Sequence, residues 1–224
     1  MLLAIDTATQ LSSIALYDGR NLLAEDTWTG ASNHSTELAP AVRRLLARAD
    51  VPVERLTALA VCIGPGAYTG LRIGVALAKG IASARQLPLV GMTTMEILAA
   101  AQPQFNGGLV TVVQAGRGRI ITQTHQWRTS RWSARGEAQI MDWETLVKSI
   151  DGPAWITGEV DEAGFEALIE AEHQGVPVTL APAALRLRRA GFLAQEAWAK
   201  LQVSPGDFPA DRVVPVYVQT KDTP

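Results

Sequence analysis

At 224 residues and 24.0 kDa, with 47% apolar residues, the chain is long enough to bury a substantial core as one large domain or two small lobes, and disorder is not indicated. The 20 Lys and Arg against 22 Asp and Glu leave a net charge of −2, which excludes nucleic-acid binding through bulk electrostatics and makes any RNA role depend on a partner. The single Cys62 excludes an internal disulfide, Met1 to Ile5 is too short for a signal segment, and no apolar run nears the roughly 20 residues that span a bilayer, so a cytoplasmic protein is expected.

Leu2 to Ile5, Ser13 to Tyr17 and Leu22 to Trp28 predict three strands, joined by the hydroxyl-rich segment Asp6 to Ser12 and by the Asp18-Gly19 turn. A helix from about Thr36 to Ala49 follows, with Leu38, Val42, Leu45, Leu46 and Ala49 on a broad apolar stripe interrupted by Arg43, Arg44 and Arg48. Leu59 to Ile63 reads as a buried strand, with Cys62 as a core thiol. The segment Ile63 to Gly74 leads from it into a helix over Gly70 to Gln86. In that turn Pro65 fixes one φ, Gly64 and Gly66 are free to take positive φ, and Thr69 stands where an N-cap hydroxyl belongs. Bare N–H groups at a helix start suit a phosphate or carboxylate, and plain tight-turn geometry selects the same residues.

The helix itself is apolar nearly all round. Leu71, Ile73, Val75, Leu77 and Ile81 point around the axis, Gly70, Gly74, Ala78 and Ala82 form one row of small residues, and Ala76, Gly80 and Ala84 form another. Such a helix is covered on more than one side, by its own sheet and first helix or by a partner. A strand Leu87 to Val90 and a helix from Thr94 to Ala101 complete the order βββαβαβα. Past Pro103 and the Asn106-Gly107-Gly108 turn come strands Leu109 to Gln114, Arg119 to Trp127 and Arg135 to Met141, then helix Trp143 to Ile150. Strand Trp155 to Thr157, helix Glu162 to Glu172, strand Pro177 to Leu180 and helix Ala183 to Leu201 repeat the same order. The expectation is two like-ordered α/β lobes, residues 1–103 and 104–224, with the last helix or the extended tail Val213 to Val218 returning to the first. Trp127, Trp132, Trp143 and Trp155 stand among Arg117, Arg119, Arg128, Arg131 and Arg135; they are base-stacking groups or, more simply, core fill beneath a solvated strand face.

The duplicated order, with a polar hairpin after the first strand, resembles the acetate kinase, sugar kinase and actin-like ATPase superfamily, a ribonuclease H-like duplicated fold. Ile5-Asp6-Thr7-Ala8-Thr9, Asn33-His34-Ser35 and the segment Gly64 to Gly74 together resemble the bacterial TsaB (YeaZ) family, closely over residues 1–102 and beyond that through element order and Pro215-Val216-Tyr217. The second half departs from the family pattern. Gln114-Ala115-Gly116-Arg117-Gly118-Arg119 stands where the family has Asp-Ala-Arg then Gly-Glu, and Gln219 where an arginine follows the late tyrosine.

The resemblance implies a non-catalytic subunit of the machinery that makes threonylcarbamoyladenosine beside the tRNA anticodon. Its implied partners are a TsaD-type catalytic subunit that carries the metal and a TsaE-type ATPase, with a homodimer when alone and tRNA met only through the complex. The first two helices then form a bundle with a partner's, through Leu38, Val42, Leu45, Leu46, Leu71, Gly74, Leu77, Ala78 and Ile81. The hydroxyl-rich hairpin and the glycine turn supply a nucleotide half-site of Asp6, Thr7, Thr9, Ser12, Gly64, Gly66 and Thr69, with Asp6 suited to a hydrated Mg²⁺. The second-lobe glycine strip that completes such a pocket is missing, Thr157-Gly158-Glu159 alone standing there, so the chain is expected to bind no nucleotide tightly alone and to meet ATP and Mg²⁺ only within the complex. The competing reading is a free-standing ATP-dependent phosphotransferase of the same superfamily, favoured by the Asp6 hairpin. Metal chemistry and a proteolytic role are not expected, since His34, His125 and His173 are far apart and no nucleophile elbow occurs; no residue is assigned as catalytic.

Overall fold

The computed structural model describes residues 1–30 and 34–218, so Asn33 and Gln219 lie outside the described residues, as do the side chains of His34 and Ser35. In chain order the elements are β1 (Leu2–Asp6), β2 (Leu11–Tyr17), β3 (Leu22–Thr29), α1 (His34–Arg48), β4 (Ala58–Gly64), α2 (Tyr68–Arg85), β5 (Leu89–Thr93) and α3 (Thr94–Ala100). They continue with β6 (Gly108–Gly116), β7 (Arg119–Arg128), β8 (Arg131–Ala134), β9 (Gln139–Met141), α4 (Trp143–Lys148), β10 (Ala154–Gly158), α5 (Glu162–His173), β11 (Val178–Leu180) and α6 (Ala190–Val203). Two compact units result, Met1–Ile97 with Arg188–Val216, and Leu98–Leu187 with the residues from Tyr217 on.

The first unit is built on a sheet of order β3-β2-β1-β4-β5, antiparallel at β1–β2 and β2–β3 and parallel at β1–β4 and β4–β5. Strand β1 is buried on both faces, and its alternation decides what each helix meets. Leu3 and Ile5 join Ile14, Leu16 and Val61 beneath α1 and α2, which contribute Leu38, Val42, Leu45, Val75 and Ala78. Leu2 and Ala4 join Ala15, Ala58 and Ala60 beneath α6, which contributes Ala190, Leu193, Ala194, Ala197 and Leu201. Alanine dominates the second face, so α6 lies close to the sheet.

The second unit carries a sheet of order β11-β10-β6-β7-β8, with β9 also paired to β7. Val110, Val112, Ile120 and Ile156 pack on Trp143, Leu146 and Leu168 of α4 and α5. Another cluster holds Leu109 with Phe105, Trp127, Trp132 and Trp155, the Phe105 ring lying 4.6 Å from Trp132 and 5.3 Å from Trp155. The tryptophans are core groups here.

Three predicted elements differ. Of the strand expected over Arg135 to Met141 only Gln139–Met141 is a strand, β9, and a further strand, β8, precedes it at Arg131–Ala134; the chain turns between them at Gly136, which takes φ +90°. The helix over Ala183 to Leu201 is a 3₁₀ turn at Ala183–Leu185 and then α6, because Arg188 is drawn into the first unit's core before the helix begins. Helix α2 starts at Tyr68 with Ala67 as its N-cap and no side-chain cap bond, so Thr69 is an exposed first-turn residue and not the capping hydroxyl.

Candidate functional site

The β1–β2 hairpin carries, from the end of β1 to the start of β2, the hydroxyls and the carboxylate that the sequence singles out, and all of them are buried: Asp6, Thr7, Thr9, Ser12 and Ser13. Asp6 Oδ1 accepts from Ala8 N at 2.9 Å, an Asx-type turn that folds the chain back at once. Its other oxygen accepts from Arg188 Nε at 3.0 Å, with both side chains 1% exposed. The same guanidinium donates through Nη2 to Thr9 Oγ1 at 2.8 Å and to the Leu11 carbonyl at 3.1 Å. Thr7 Oγ1 donates to the Gly70 carbonyl at 2.8 Å, and Ser13 Oγ bonds Thr27 Oγ1 at 2.8 Å and accepts from Ala190 N at 2.9 Å. A loop whose composition suits a phosphate and a hydrated cation is thus filled by an arginine of its own chain. A guanidinium is always charged and presents its donors as a fixed fork, which fits a carboxylate, a hydroxyl and a carbonyl converging on one point.

Arg188 was not a sequence candidate, because one continuous helix from Ala183 makes it look like a solvated helical residue. A local signal exists: Leu185-Arg186-Leu187-Arg188 alternates with period two, which is not the spacing of a continuous α-helix.

The glycine turn closes on the same loop. Ala67 N donates to the Ala8 carbonyl at 2.6 Å, and a Cβ on Gly66 would overlap that carbonyl. Gly64 takes φ +103°, is joined to Pro65 by a cis bond, and leaves room for the Val216 carbonyl, which a Cβ would meet at 2.6 Å. Val216 N in turn donates to the Ile63 carbonyl at 2.7 Å, and Thr94 Oγ1 to the Pro65 carbonyl at 2.6 Å. Glycine is required there by close backbone approach. Cys62 lies beneath, its Sγ 3.3 Å from Thr94 Oγ1; burial first, then the negative charge of Asp6, pushes the thiol far up from its ordinary range. Among the described residues no group of three or more His, Cys, Asp or Glu side chains is placed to hold a metal ion.

The two small-residue rows of α2 separate cleanly. Gly70, Gly74, Ala78 and Ala82 face inward, and a Cβ on Gly74 would collide with Thr7 Oγ1. Ala76, Gly80 and Ala84 face outward, and a Cβ on Gly80 would meet nothing within 4 Å. Of the residues expected at a partner interface, Leu38, Val42, Leu45, Leu71, Gly74 and Ala78 are therefore buried in the chain's own core, and Leu46, Leu77 and Ile81 are half-buried and packed against its edge. A helix stripe read from sequence does not say which of two apolar sides is already taken.

A family model described as "TsaD: tRNA N6-adenosine threonylcarbamoyltransferase" matches residues 27–151. The chain is 34% identical over 172 residues to the tRNA threonylcarbamoyladenosine biosynthesis protein TsaB of Bacillus subtilis, covering 75% of each chain. It is 31% identical over 127 residues to TsaB of Escherichia coli, covering 56% of this chain and 54% of that one. Among solved structures it is similar to YeaZ from Pseudomonas aeruginosa, with a TM-score of 0.76 at 25% identity over 97% of this chain and 99% of that one. The fold shared with these neighbours is that of the actin-like ATPases.

Proposed function

The chain belongs to the TsaB (YeaZ) family, and on that footing we propose that it is a non-catalytic subunit in tRNA threonylcarbamoyladenosine synthesis, pairing with a TsaD-type catalytic subunit. The observation that carries this reading is the Asp6–Arg188 pair. Its carboxylate is already neutralised and enclosed, so the loop that a phosphotransferase would turn toward a nucleotide and its cation is committed to holding the fold together. ATP and Mg²⁺ are met only within the complex, a TsaE-type ATPase joins it, and tRNA is met there as well. Alone, the chain forms a homodimer. No helix among the described residues is long and apolar enough to cross a membrane, and the cytoplasm is the compartment we assign.

The partner's helices dock on the outward row Ala76, Gly80 and Ala84, where an exposed glycine lets another backbone approach closely between Ile73, Leu77 and Ile81. Gly80→Arg tests this, since the open space around residue 80 lets the variant fold. An unpaired charge in a desolvated interface costs several kcal/mol, enough to abolish a micromolar complex worth about 8 kcal/mol. The variant should lose co-purification with a TsaD-type subunit and support no product in a reconstituted reaction; unchanged affinity overturns the interface. Calorimetry of the isolated wild-type chain should detect no tight ATP binding, and micromolar affinity lost in Asp6→Ala would restore the phosphotransferase reading.

A further inference from the structure

The second unit is sharply divided in charge. No Asp or Glu stands between Glu96 and Glu137, a stretch that holds Arg117, Arg119, Arg128, Arg131 and Arg135, whereas residues 137–187 carry ten carboxylates against Lys148 and Arg186. A net charge of −2 for the whole chain conceals this.

The β7–β8 hairpin gathers three of those arginines on one face. Trp127 lies opposite Trp132, Gln126 opposite Ser133, and Arg128 opposite Arg131, and Arg135 N extends the register by donating to the Thr124 carbonyl at 2.7 Å. Residues directly opposite share a face, so Trp127 and Trp132 turn into the aromatic cluster, their rings 5.3 Å apart, and Arg128, Arg131 and Arg135 turn out to solvent with Thr124, Gln126 and Ser133. Like charges directly opposite destabilise a strand pair, and among the described residues neither Arg128 nor Arg131 has an ion pair or hydrogen bond through its guanidinium. The aromatic cluster beneath holds this face rigid. A flat strip of forked cations and short polar side chains matches a row of phosphates in geometry and sign.

We propose that the outer face of the β7–β8 hairpin, through Arg128, Arg131 and Arg135, contacts the sugar–phosphate backbone of RNA. The choice of RNA as the polyanion rests on the function proposed above. The contact is sequence-independent, adds a few phosphate contacts to those a partner supplies, and is weak alone, as the net charge requires. Arg117 and Arg119, at the other end of β7, are no part of it.

The test is the salt dependence of the full chain's binding to unmodified tRNA transcript. Each phosphate contact contributes about 0.7–0.9 to the slope of log affinity against log salt. Arg128→Ala/Arg131→Ala should lower the slope by about 1.5 and weaken low-salt binding about tenfold, and Arg128→Lys/Arg131→Lys should restore the slope. Glu162→Gln/Glu166→Gln, on exposed α5 positions, should leave the slope within about 0.3 of the wild type. A slope unchanged in the double alanine variant, or no binding to tRNA at low salt, overturns the proposal and leaves the arginines as guards of an exposed sheet edge. Binding to phosphatidylserine vesicles without binding to tRNA overturns it equally. A reconstituted modification reaction that proceeds without this chain would refute the proposed function while the slope still reports on the hairpin.

Discussion

Arg188 is the residue on which the first unit turns, because it satisfies a buried carboxylate, a buried hydroxyl and a half-buried carbonyl. Removing one partner of such a pair leaves a buried charge uncompensated, which costs more than the pair contributes. Arg188→Ala should lower the stability to urea by about 3–5 kcal/mol, and Asp6→Asn/Arg188→Met should lose markedly less than the sum of its single changes, because no unpaired charge is left behind. A loss under about 0.5 kcal/mol in Arg188→Ala would show that water reaches the site and that the pair is surface-like. Cys62 gives a second, independent readout. Burial and the adjacent Asp6 charge hold the thiol protonated, so iodoacetamide should leave it unmodified in the native protein and alkylate it only along the urea transition. Rapid native-state alkylation would mean that the core opens locally at β4.

At the scale of the elements, α2 sets two glycines against each other. Gly80 lies in open space, so Gly80→Ala should stabilise the isolated chain by about 1 kcal/mol through helix propensity alone, whereas Gly74→Ala should destabilise it, because the new methyl group displaces Thr7 from its bond to Gly70. Thermal melts of the two variants check the sign of each, and equal shifts would sink the assignment of inward and outward rows. That assignment was not legible in the sequence. Both rows have the same four-residue spacing and the same residue types; only the position of Thr7 on the neighbouring hairpin tells them apart. The order of strands and helices was legible, because period-two and helical spacing are local properties. The path of residues 183–189 is not legible, because a short alternation at the front of a longer apolar run does not show where the helix starts. The clasp of α6 also has an electrostatic part. Lys200 on α6 reaches Glu96 at 2.9 Å; burial pushes that carboxyl up, but the ammonium and the hydrogen bonds from Thr93 outweigh it and hold its pKa below the ordinary value. A depressed folded-state pKa adds stability that is complete above the unfolded value and is lost as pH falls through the folded one. Glu96→Gln should therefore flatten the acid side of the stability profile and leave the alkaline side parallel to the wild type, and an unchanged acid limb would rule this pair out as a contributor.

Across the whole molecule, the Asp6–Arg188 bond joins residues 182 positions apart, and the first unit's sheet is closed by a helix that the chain supplies only after the second unit is made. This is why the site was only half visible: the acceptors Asp6 and Thr9 are close in sequence and could be named together, but their donor stands 182 positions away, and nothing in the residues around Arg188 says which loop it reaches. The arrangement predicts how the molecule opens. Leu193, Ala197 and Leu201 of α6 share one core with Ala4, Ala15 and Ala60, and Ala190 N is tied to Ser13 Oγ, so α6 and the β1–β2 hairpin should open as one cooperative unit. In native-state hydrogen exchange of Arg188→Ala, the amides of α6 and of β2 should lose protection together, by about two to three orders of magnitude if the lost pair costs what a buried one does. Amides in β6, β7 and β10, whose bonding lies within the second unit, should keep theirs. Fraying of α6 alone, with β2 still protected, would show that the helix is an appendage held by apolar contact and that Arg188 does not fasten it to the sheet.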